Sequence, residues 1–332
     1  MNTRCFAPAE WNALAGLAQE PALPPFEGAL LERQHAEAHV VALRGDRIAA
    51  RCSCWRRTAP PYPPEQPGVI GHFAATDEAS ALAVLAGAQD FLRRSGCSLA
   101  IGPMDGNTWR RYRWITERGA EQPFFMEPDN PPDYPVWWER AGFVPLAHYQ
   151  SALVTGLTGA DERLERVRAR LAAAGVVIRP VELAALERDL RHIHAVSLNS
   201  FAHNFLYTPL SEADFLAQYL PYRDQLRPEF ILLAMRGATS VGFVFCIPDF
   251  LRPKAGQPLD TLILKTLAIL PGRDYAGLGN LLVEHVHQAA HAAGLTRVIH
   301  ALSAAHNSVI NITARYGSVM RRYALYARRL DA

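Results

Sequence analysis

The residues with the clearest chemical reading lie in Thr261–Asn280, TLILKTLAILPGRDYAGLGN, which runs on into LLVEHVHQAAHAAG. Leu262, Ile263, Leu264, Leu267, Ala268, Ile269 and Leu270 make an apolar strand-like run, and Pro271–Gly279 is a glycine-containing turn. Leu278, Leu281, Leu282, Val286 and Ala289 then recur close to helical spacing. The pattern predicts a buried strand, a turn and an amphipathic helix. A turn entering a helix offers backbone N–H groups that have no intrahelical partner, and the helix dipole adds partial positive charge there. Glycine lets that backbone come close to a ligand. The stretch is a candidate anion cradle, suited to a phosphate or pyrophosphate.

Other residue types in the chain carry possible chemistry of their own. Lys265 sits inside the apolar run, where strand alternation puts it on one face with Ile263, Leu267 and Ile269. A buried ammonium needs a partner, either a structural acid or the carboxylate of a substrate. Asp249 ends an apolar run at Val241–Ile247 and faces either a cleft or a turn. His192, His194 and His203 lie near Asn199 and Asn204, as general bases or as capping and surface residues. His192 and His194 are two apart on an expected helix and face different ways, so they make no metal pair. Tyr316, Tyr323 and Tyr326 are phenols able to deliver a proton, unless packing is their whole role. Trp109, Trp114, Trp137 and Trp138, with Arg110, Arg111 and Arg113, suggest a stacking surface for single-stranded nucleic acid. A net charge of only +2 favours an interdomain core instead.

These groups must be positioned by a chain of 332 residues, 49% hydrophobic and 20% charged, enough for two domains, or one large one, with substantial cores. The basic residues are nearly all arginine, with Lys254 and Lys265 the only lysines. Cys5, Cys52, Cys54, Cys97 and Cys246 show no CxxC or zinc spacing and fit free thiols in a reducing cytoplasm. MNTRCFAPAEW does not read as a signal peptide, and no run approaches the ~18 apolar residues of a membrane span.

The elements predicted in order are a short helix near Ala9–Ala18, a hairpin of His39–Leu43 and Arg47–Arg56 about Gly45-Asp46, and a proline-rich loop, Thr58–Pro67. A strand at Val69–Ala75, a helix opened by Asp77 and Glu78 and closed by Gly96, and a strand at Ser98–Ile101 follow. A short strand at Pro123–Met126, a helix at Tyr134–Ala141 and a strand at Phe143–Val154 complete the first half. TGLTGA, residues 155–160, reads as a linker. Beyond it come helix Asp161–Ala174, strand Val176–Val181, helix Glu182–Phe201, a helix capped by Ser211, and strands Phe230–Met235 and Ser240–Ile247 about a Gly237 turn. Thr296–Leu302 is expected as the parallel partner of the central strand, before a short helix Asn307–Tyr316 and a strand Met320–Arg328. Each half reads hairpin, strand, long helix, strand, short helix, strand, an internal repeat of architecture. Mixed strands and helices in this order indicate an α+β or α/β domain in tandem.

LAILPGRDYAGLGNLLVEHV resembles the acyl-CoA-binding motif of the GNAT N-acyltransferase superfamily: a strand, a proline, a short glycine loop and a helix. Gly277 and Gly279 fall at the family spacing from Pro271, whereas Asp274 stands at the usual Gln/Arg position and Tyr275 at a usual glycine. Arg273, next door, offers an offsetting charge. Asn307 resembles the family's later motif; the tyrosine expected after it is replaced by Ala314, with Tyr316 nearest. In the first half, Ile101-Gly-Pro103, Asn130, Tyr134 and Gly142-Phe143 resemble a group of bacterial GNAT-type proteins of largely unassigned function, as does HAVSLNSFAHNFLYTP at 194–209.

The resemblance implies two tandem GNAT-like domains, each a mixed, mainly antiparallel twisted sheet flanked by helices. Residues 1–154 would be a degenerate copy, since only Thr76-Asp77-Glu78-Ala79 follows its strand. Residues 161–332 would be the acyl-CoA-binding, catalytic domain. It implies that the Ala276, Gly277, Leu278, Gly279 and Asn280 amides hold the CoA pyrophosphate, with Arg273, Tyr275 and Asn307 nearby, and that Leu267, Ala268 and Ile269 pair with the pantetheine arm. Tyr316 or Tyr323 would protonate the thiolate and His203 would serve as base. Acetyl-CoA or another acyl-CoA would be the co-substrate, without metal, and a primary amine of a small molecule or peptide the acceptor. Neither nucleic acid nor membrane is an expected partner. Two other readings stay open: a non-catalytic acyl-CoA sensor, and a tandem-GNAT transferase using aminoacyl-tRNA.

Overall fold

The structure, a computed structural model, describes residues 1–157, 162–304 and 317–330. Its strands are β1 (Asn2–Phe6), β2 (Ala38–Arg44), β3 (Arg47–Trp55), β4 (Pro67–Ala75), β5 (Leu99–Gly102), β6 (Trp114–Glu117) and β7 (Val144–Thr155). The second half supplies β8 (Val176–Pro180), β9 (Ile231–Arg236), β10 (Thr239–Pro248), β11 (Thr261–Ile269), β12 (Arg297–Ala304) and β13 (Gly317–Arg329). The helices are α1 (Trp11–Ala15), α2 (Ala29–Arg33), α3 (Glu78–Arg94), α4 (Asp133–Arg140), α5 (Arg163–Ala173), α6 (Leu186–Ser200), α7 (Glu212–Tyr219), α8 (Leu251–Lys254) and α9 (Leu278–Ala292). Among the described residues, no helix is long and apolar enough to cross a membrane.

Local chemistry explains most of these boundaries. Asp77 caps α3 by accepting the Ser80 amide, and Gly96, at φ +85°, closes it. Ser211 caps α7 by accepting the Asp214 amide, and the helix, expected from the sequence to reach about Leu226, ends at Tyr219 because Pro221 tightens the next turn to 3-10 geometry. Gly45 and Gly237 take positive φ at the two hairpin turns. Two strands carry no sequence signal and one expectation needs correction. Asn2–Phe6 is an edge strand on β2, because pairing supplies what its sequence lacks. Trp114–Glu117 is a strand on β13. Pro123–Met126 is a turn in which Phe124 enters the core and Met126 has φ +65°, outside the extended region that pairing needs. Thr155 closes β7 rather than opening a linker, and residues 158–160 and the expected helix 307–316 lie outside the described residues.

All the described strands join one sheet, in the order β1-β2-β3-β4-β5-β13-β7-β12-β11-β10-β9-β8, with β6 also on β13. The two halves exchange their last strands. β7, from the first half, pairs antiparallel with β12 of the second, and β13 crosses back to pair antiparallel with β5. The two long strands pair with each other between. β4 with β5, and β11 with β12, are the parallel pairs.

Alternation along β10 shows how the second half is layered. Val244 and Cys246 enter a core with α5 and α9, while Phe243, Phe245 and Ile247 enter one with α6 and α7. In the first half, α3 and α4 cover one face with an aromatic core of Phe73, Trp114, Tyr134 and Trp138. Trp109 leaves that group: its indole N–H reaches the Thr208 carbonyl at 2.8 Å, and its ring packs against Phe215 of the second half. The aromatic-rich stretch is thus core and inter-half contact.

Candidate active site

Two bulges open the sheet. β11 and β12 pair in register from Thr261/Arg297 to Leu264/His300 and then part. On β11 the register against β10 slips between Leu264 and Thr266, so Lys265 is an extra residue. The slip reverses the strand's faces. Leu262 and Leu264 point to the α9 side before it, Leu267 and Ile269 after it, while Ile263 and Ala268 share the α6 side. Simple alternation therefore misplaces Lys265: it does not share a face with Leu267 and Ile269. Its ammonium turns to Tyr219 at the end of α7, 2.9 Å from the hydroxyl. No acid pairs with it among the described residues, so the expected structural ion pair is absent.

β12 slips against β7 between His300 and Ser303, where Leu302 is held at φ +59°. Such a backbone costs a non-glycine residue about 1–3 kcal/mol and persists only where neighbours enforce it. Here the Ser151 hydroxyl accepts the Leu302 N–H at 3.0 Å and Arg113 donates to its carbonyl at 3.0 Å. Both residues come from the first half. Ser151 in turn meets the Tyr323 hydroxyl at 3.0 Å, and Tyr323 donates to Glu127. Glu127 also takes Arg321, an ion pair fully shielded from solvent. Burial pushes the Glu127 carboxyl above its usual range although Tyr323 and Arg321 pull the other way.

The parted strands wall a cavity of about 1030 Å³. Leu264–Leu267 and Ala301–Ala304 form its strand walls, α6 and α7 add Ser197 and Tyr219, and Arg110, Arg113 and Tyr149 come from the first half. The burial of β11 follows this: Thr261–Leu264 are buried, and Lys265, Thr266 and Leu267 are partly open. Arg113 is 3% exposed, its guanidinium 3.7 Å and 3.8 Å from the ring centres of Tyr112 and Tyr149. Burial brings it down to about 10.

At the far end of β11 the chain turns through Gly272 (φ +143°) and Gly277 (φ +82°) into α9. A Cβ on Gly277 would lie 2.9 Å from Val167, so the position excludes side chains by both backbone and space. No acid lies in the first turn of α9, and Gly277 offers no side-chain cap, so its leading amides are left to a ligand or solvent. Arg170 of α5 braces the loop by donating to the Asp274 and Ala276 carbonyls. Asp274 is exposed and faces Arg236 at 3.7 Å, which accounts for a carboxylate beside an anion cradle: it is paired with a residue at the end of β9, two strands from β11.

The expected site residues are thus distributed in space. Leu267 lines the cavity, and Ala268 and Ile269 continue the strand that leads from it to Arg273, Tyr275, Ala276, Gly277, Leu278, Gly279 and Asn280. Leu278 is buried in the α9 core, so its contribution to a ligand is its backbone alone. The Ile269 carbonyl is taken by the Ser200 hydroxyl at 2.9 Å. His203 is exposed on the cavity rim. Tyr323 does not reach the cavity; its hydroxyl is buried and held well above the usual phenol range, by burial first and Glu127 second. Tyr326 is likewise buried, 3.2 Å from Glu139. His194 bonds the Leu210 carbonyl at 2.8 Å, and Asp249 takes the Phe125 and Leu251 amides, so both are structural. Asn307 and Tyr316 lie outside the described residues. Glu127, Arg113, Ser151 and Tyr219 had no motif to mark them; for Arg113 the only signal was an arginine in an aromatic-rich stretch.

The corresponding place in the first half is closed. β4 and β5 pair from Pro67/Leu99 to Val69/Ile101 and then part, but the Met104 N–H bonds the Ile70 carbonyl at 2.8 Å and Asp105 takes the His72 N–H at 2.6 Å. A Cβ on Gly71 would sit 2.2 Å from the Met104 carbonyl oxygen. The Tyr134 hydroxyl accepts the Ala75 N–H at 3.1 Å. Asp77 already occupies the N-terminus of α3. Burial alone would raise its carboxyl, but hydrogen bonds from Ser80, Thr76 and Arg44 outweigh that and bring it to about 2.

No protein-family model matches the chain, and no curated protein matches it. Solved structures do. A tandem GNAT protein from the clavulanic acid biosynthesis pathway superposes with a TM-score of 0.52 at 10% identity, over 100% of this chain and 99% of that one. A GCN5-related N-acetyltransferase from Sphaerobacter thermophilus does so with 0.51 at 12%, over 99% and 95%. The GCN5-related glucosamine N-acetyltransferase region of a fungal multi-domain β-N-acetylglucosaminidase gives 0.55 at 9%, over 98% of this chain, which spans 38% of that enzyme's length. The fold is that of the GNAT superfamily, with GNAT-like units in tandem.

Proposed function

We propose that this protein is an acyl-CoA-dependent N-acyltransferase, moving an acyl group, in the simplest case acetyl, from CoA to a primary amine. The observation that carries this is the parting of β11 from β12 after Leu264/His300 into a deep cavity, with a left-handed glycine turn at the end of the same strand. Beyond Leu264 the outer edge of β11 has no strand neighbour among the described residues, so its backbone can receive a pantetheine arm as an added strand. The amides at the start of α9 suit the pyrophosphate, helped by Arg170 and by the pairing of Asp274 with Arg236. Bound acyl-CoA supplies the activated thioester.

The chain's own groups then act on the reaction. Backbone N–H groups of Leu267–Ile269 that face away from β10 would polarise the thioester carbonyl. His203 at the rim, or water beside it, would take the ammonium proton. Tyr316 is the proposed proton donor to the thiolate. Tyr323, sealed from the cavity, is a positioning residue: with Ser151 it holds Leu302 and so keeps β12 away from β11. The second half is the proposed catalytic unit, and the first half builds one wall of its cavity.

Calorimetry with acetyl-CoA tests this reading. Micromolar binding is expected, and Gly277→Trp should abolish it, since the indole has no room against Val167 at a backbone of φ +82°. A wild type that binds no acetyl-CoA would refute the proposal.

A further inference from the structure

The charge of the cavity is unbalanced. Arg110, Arg111, Arg113 and Lys265 all line it. Among the described residues, the hydrogen-bond partners of all four are neutral: the Gln34 and Asp105 carbonyls for Arg110, the Asp129 carbonyl for Arg111, the Leu302 carbonyl for Arg113 and the Tyr219 hydroxyl for Lys265. The two acids on the same walls are already engaged, Glu127 by Arg321 and Asp129 by Arg118. Asp105 and Asp214 act on Arg110 from outside the cavity lining, whereas Arg113 and Lys265 have only neutral partners, and their desolvation cost is one that an anion would offset. Arg113 is the extreme case, 3% exposed with its Nε–H unpartnered. The cavity is built to receive an anionic group.

Lys265 indicates where. It is the extra residue of the β11 bulge, at the point where the open strand edge begins, and it turns into the cavity toward Tyr219. In the acyltransferase reading above, on which this rests, the thioester lies against that same edge. An anion held by Lys265 is then close to the reacting amine, within the span of a small molecule. We infer that the acceptor is an α-amino acid or a near analogue, whose carboxylate pairs with Lys265 while its amine attacks. The amine nitrogen forms the amide bond as the thioester C–S bond breaks. Of the two protons the ammonium nitrogen loses, one leaves to the base before attack and the other balances the proton delivered to the thiolate as the amide forms; the carboxylate is unchanged. Arg110 and Arg113 add positive potential that draws the zwitterion in by its carboxylate.

The test is steady-state thiol release from acetyl-CoA with the proteinogenic amino acids, their α-carboxamides, and phosphoethanolamine as acceptors, after acetyl-CoA binding has been measured by calorimetry. At least one amino acid should exceed its carboxamide in kcat/KM by about tenfold or more, because the amide leaves Lys265 unpaired. Lys265→Met should bring that ratio close to one, and Lys265→Arg should keep most of it. Equal use of acid and amide, no turnover of any amino acid, preference for the phosphate monoester, or an unchanged ratio in a Lys265→Met protein that still binds acetyl-CoA would each overturn the inference. If Lys265→Met binds no acetyl-CoA, the wild-type ratio and Lys265→Arg decide. Absence of acetyl-CoA binding by the wild type would instead remove the acyltransferase reading itself.

Discussion

The pairs β4–β5 and β11–β12 begin alike, as short parallel ladders that part after three and four rungs. One gap is filled with protein and the other is a cavity. In the first half, Met104 and Asp105 step into the gap and satisfy the freed backbone, Tyr134 caps Ala75, and Trp138 and Phe73 pack beside them. In the second half, β12 is bent away by the Leu302 bulge and nothing comparable lines the strand edge among the described residues. The turns after the two strands differ in the same sense. Asp77 places a carboxylate on the N-terminus of α3, whereas α9 starts from a bare Gly277. A parted parallel pair is therefore only an opportunity. The residues that satisfy its backbone decide whether it becomes core or site.

The exchanged strands bind the two fates together. β7 stands between β12 and β13, so the open half depends on a strand made by the closed half. The largest expected effect follows from this. Residues 161–332 expressed alone lack β7, Ser151, Arg113 and Glu127, and should neither fold as a soluble unit nor bind acetyl-CoA, as circular dichroism and calorimetry would show. A folded, binding fragment would mean that the open cleft needs no help from its neighbour.

Next in size is the sealed pair between the halves. Arg321→Leu leaves Glu127 without its cation in a fully shielded place, and should cost about 3–5 kcal/mol in denaturant unfolding. Through Tyr323 and Ser151 it should also loosen Leu302, so acetyl-CoA affinity is expected to fall along with stability. An effect on stability alone would separate the ion pair from the shape of the cleft.

Acid sharpens the comparison differently. Burial, then His72 and Arg51, bring His39 of the first half from 6.5 to about 3, and burial brings His287 and His300 of the second to about 4 and about 3. The unfolded chain takes up these protons near pH 6.5 and the folded chain only near pH 3–4, so stability should fall as pH drops through that window. Melting temperature followed from pH 7 to pH 4 would check this, and His39→Gln should flatten the first half's share of the slope.

The smallest expected effect lies in the closed gap. Tyr134→Phe removes the hydroxyl from the Ala75 backbone, costing about 1 kcal/mol, with acetyl-CoA affinity unchanged. A measurable change in affinity would mean that the two gaps communicate.

The sequence by itself determined the tandem α+β plan, nearly every helix and strand boundary around the central stretch, and the glycine turn. These features are local: apolar period, caps, and φ values open only to glycine. The position of Lys265 was not legible, because a bulge adds one residue to β11 and reverses every face assignment after it, and a bulge is set by pairing across the sheet. Arg113, Ser151, Glu127 and Tyr219 were not legible either. They are ordinary residues: Arg113, Ser151 and Glu127 are gathered with the second half only when the two halves trade their last strands, and Tyr219 reaches Lys265 only because α7 packs over the β11 bulge. Tyr323 shows the converse. Its residue type suggested an acid, and tertiary packing buried it against Glu127, where it supports the cleft wall without touching the cleft.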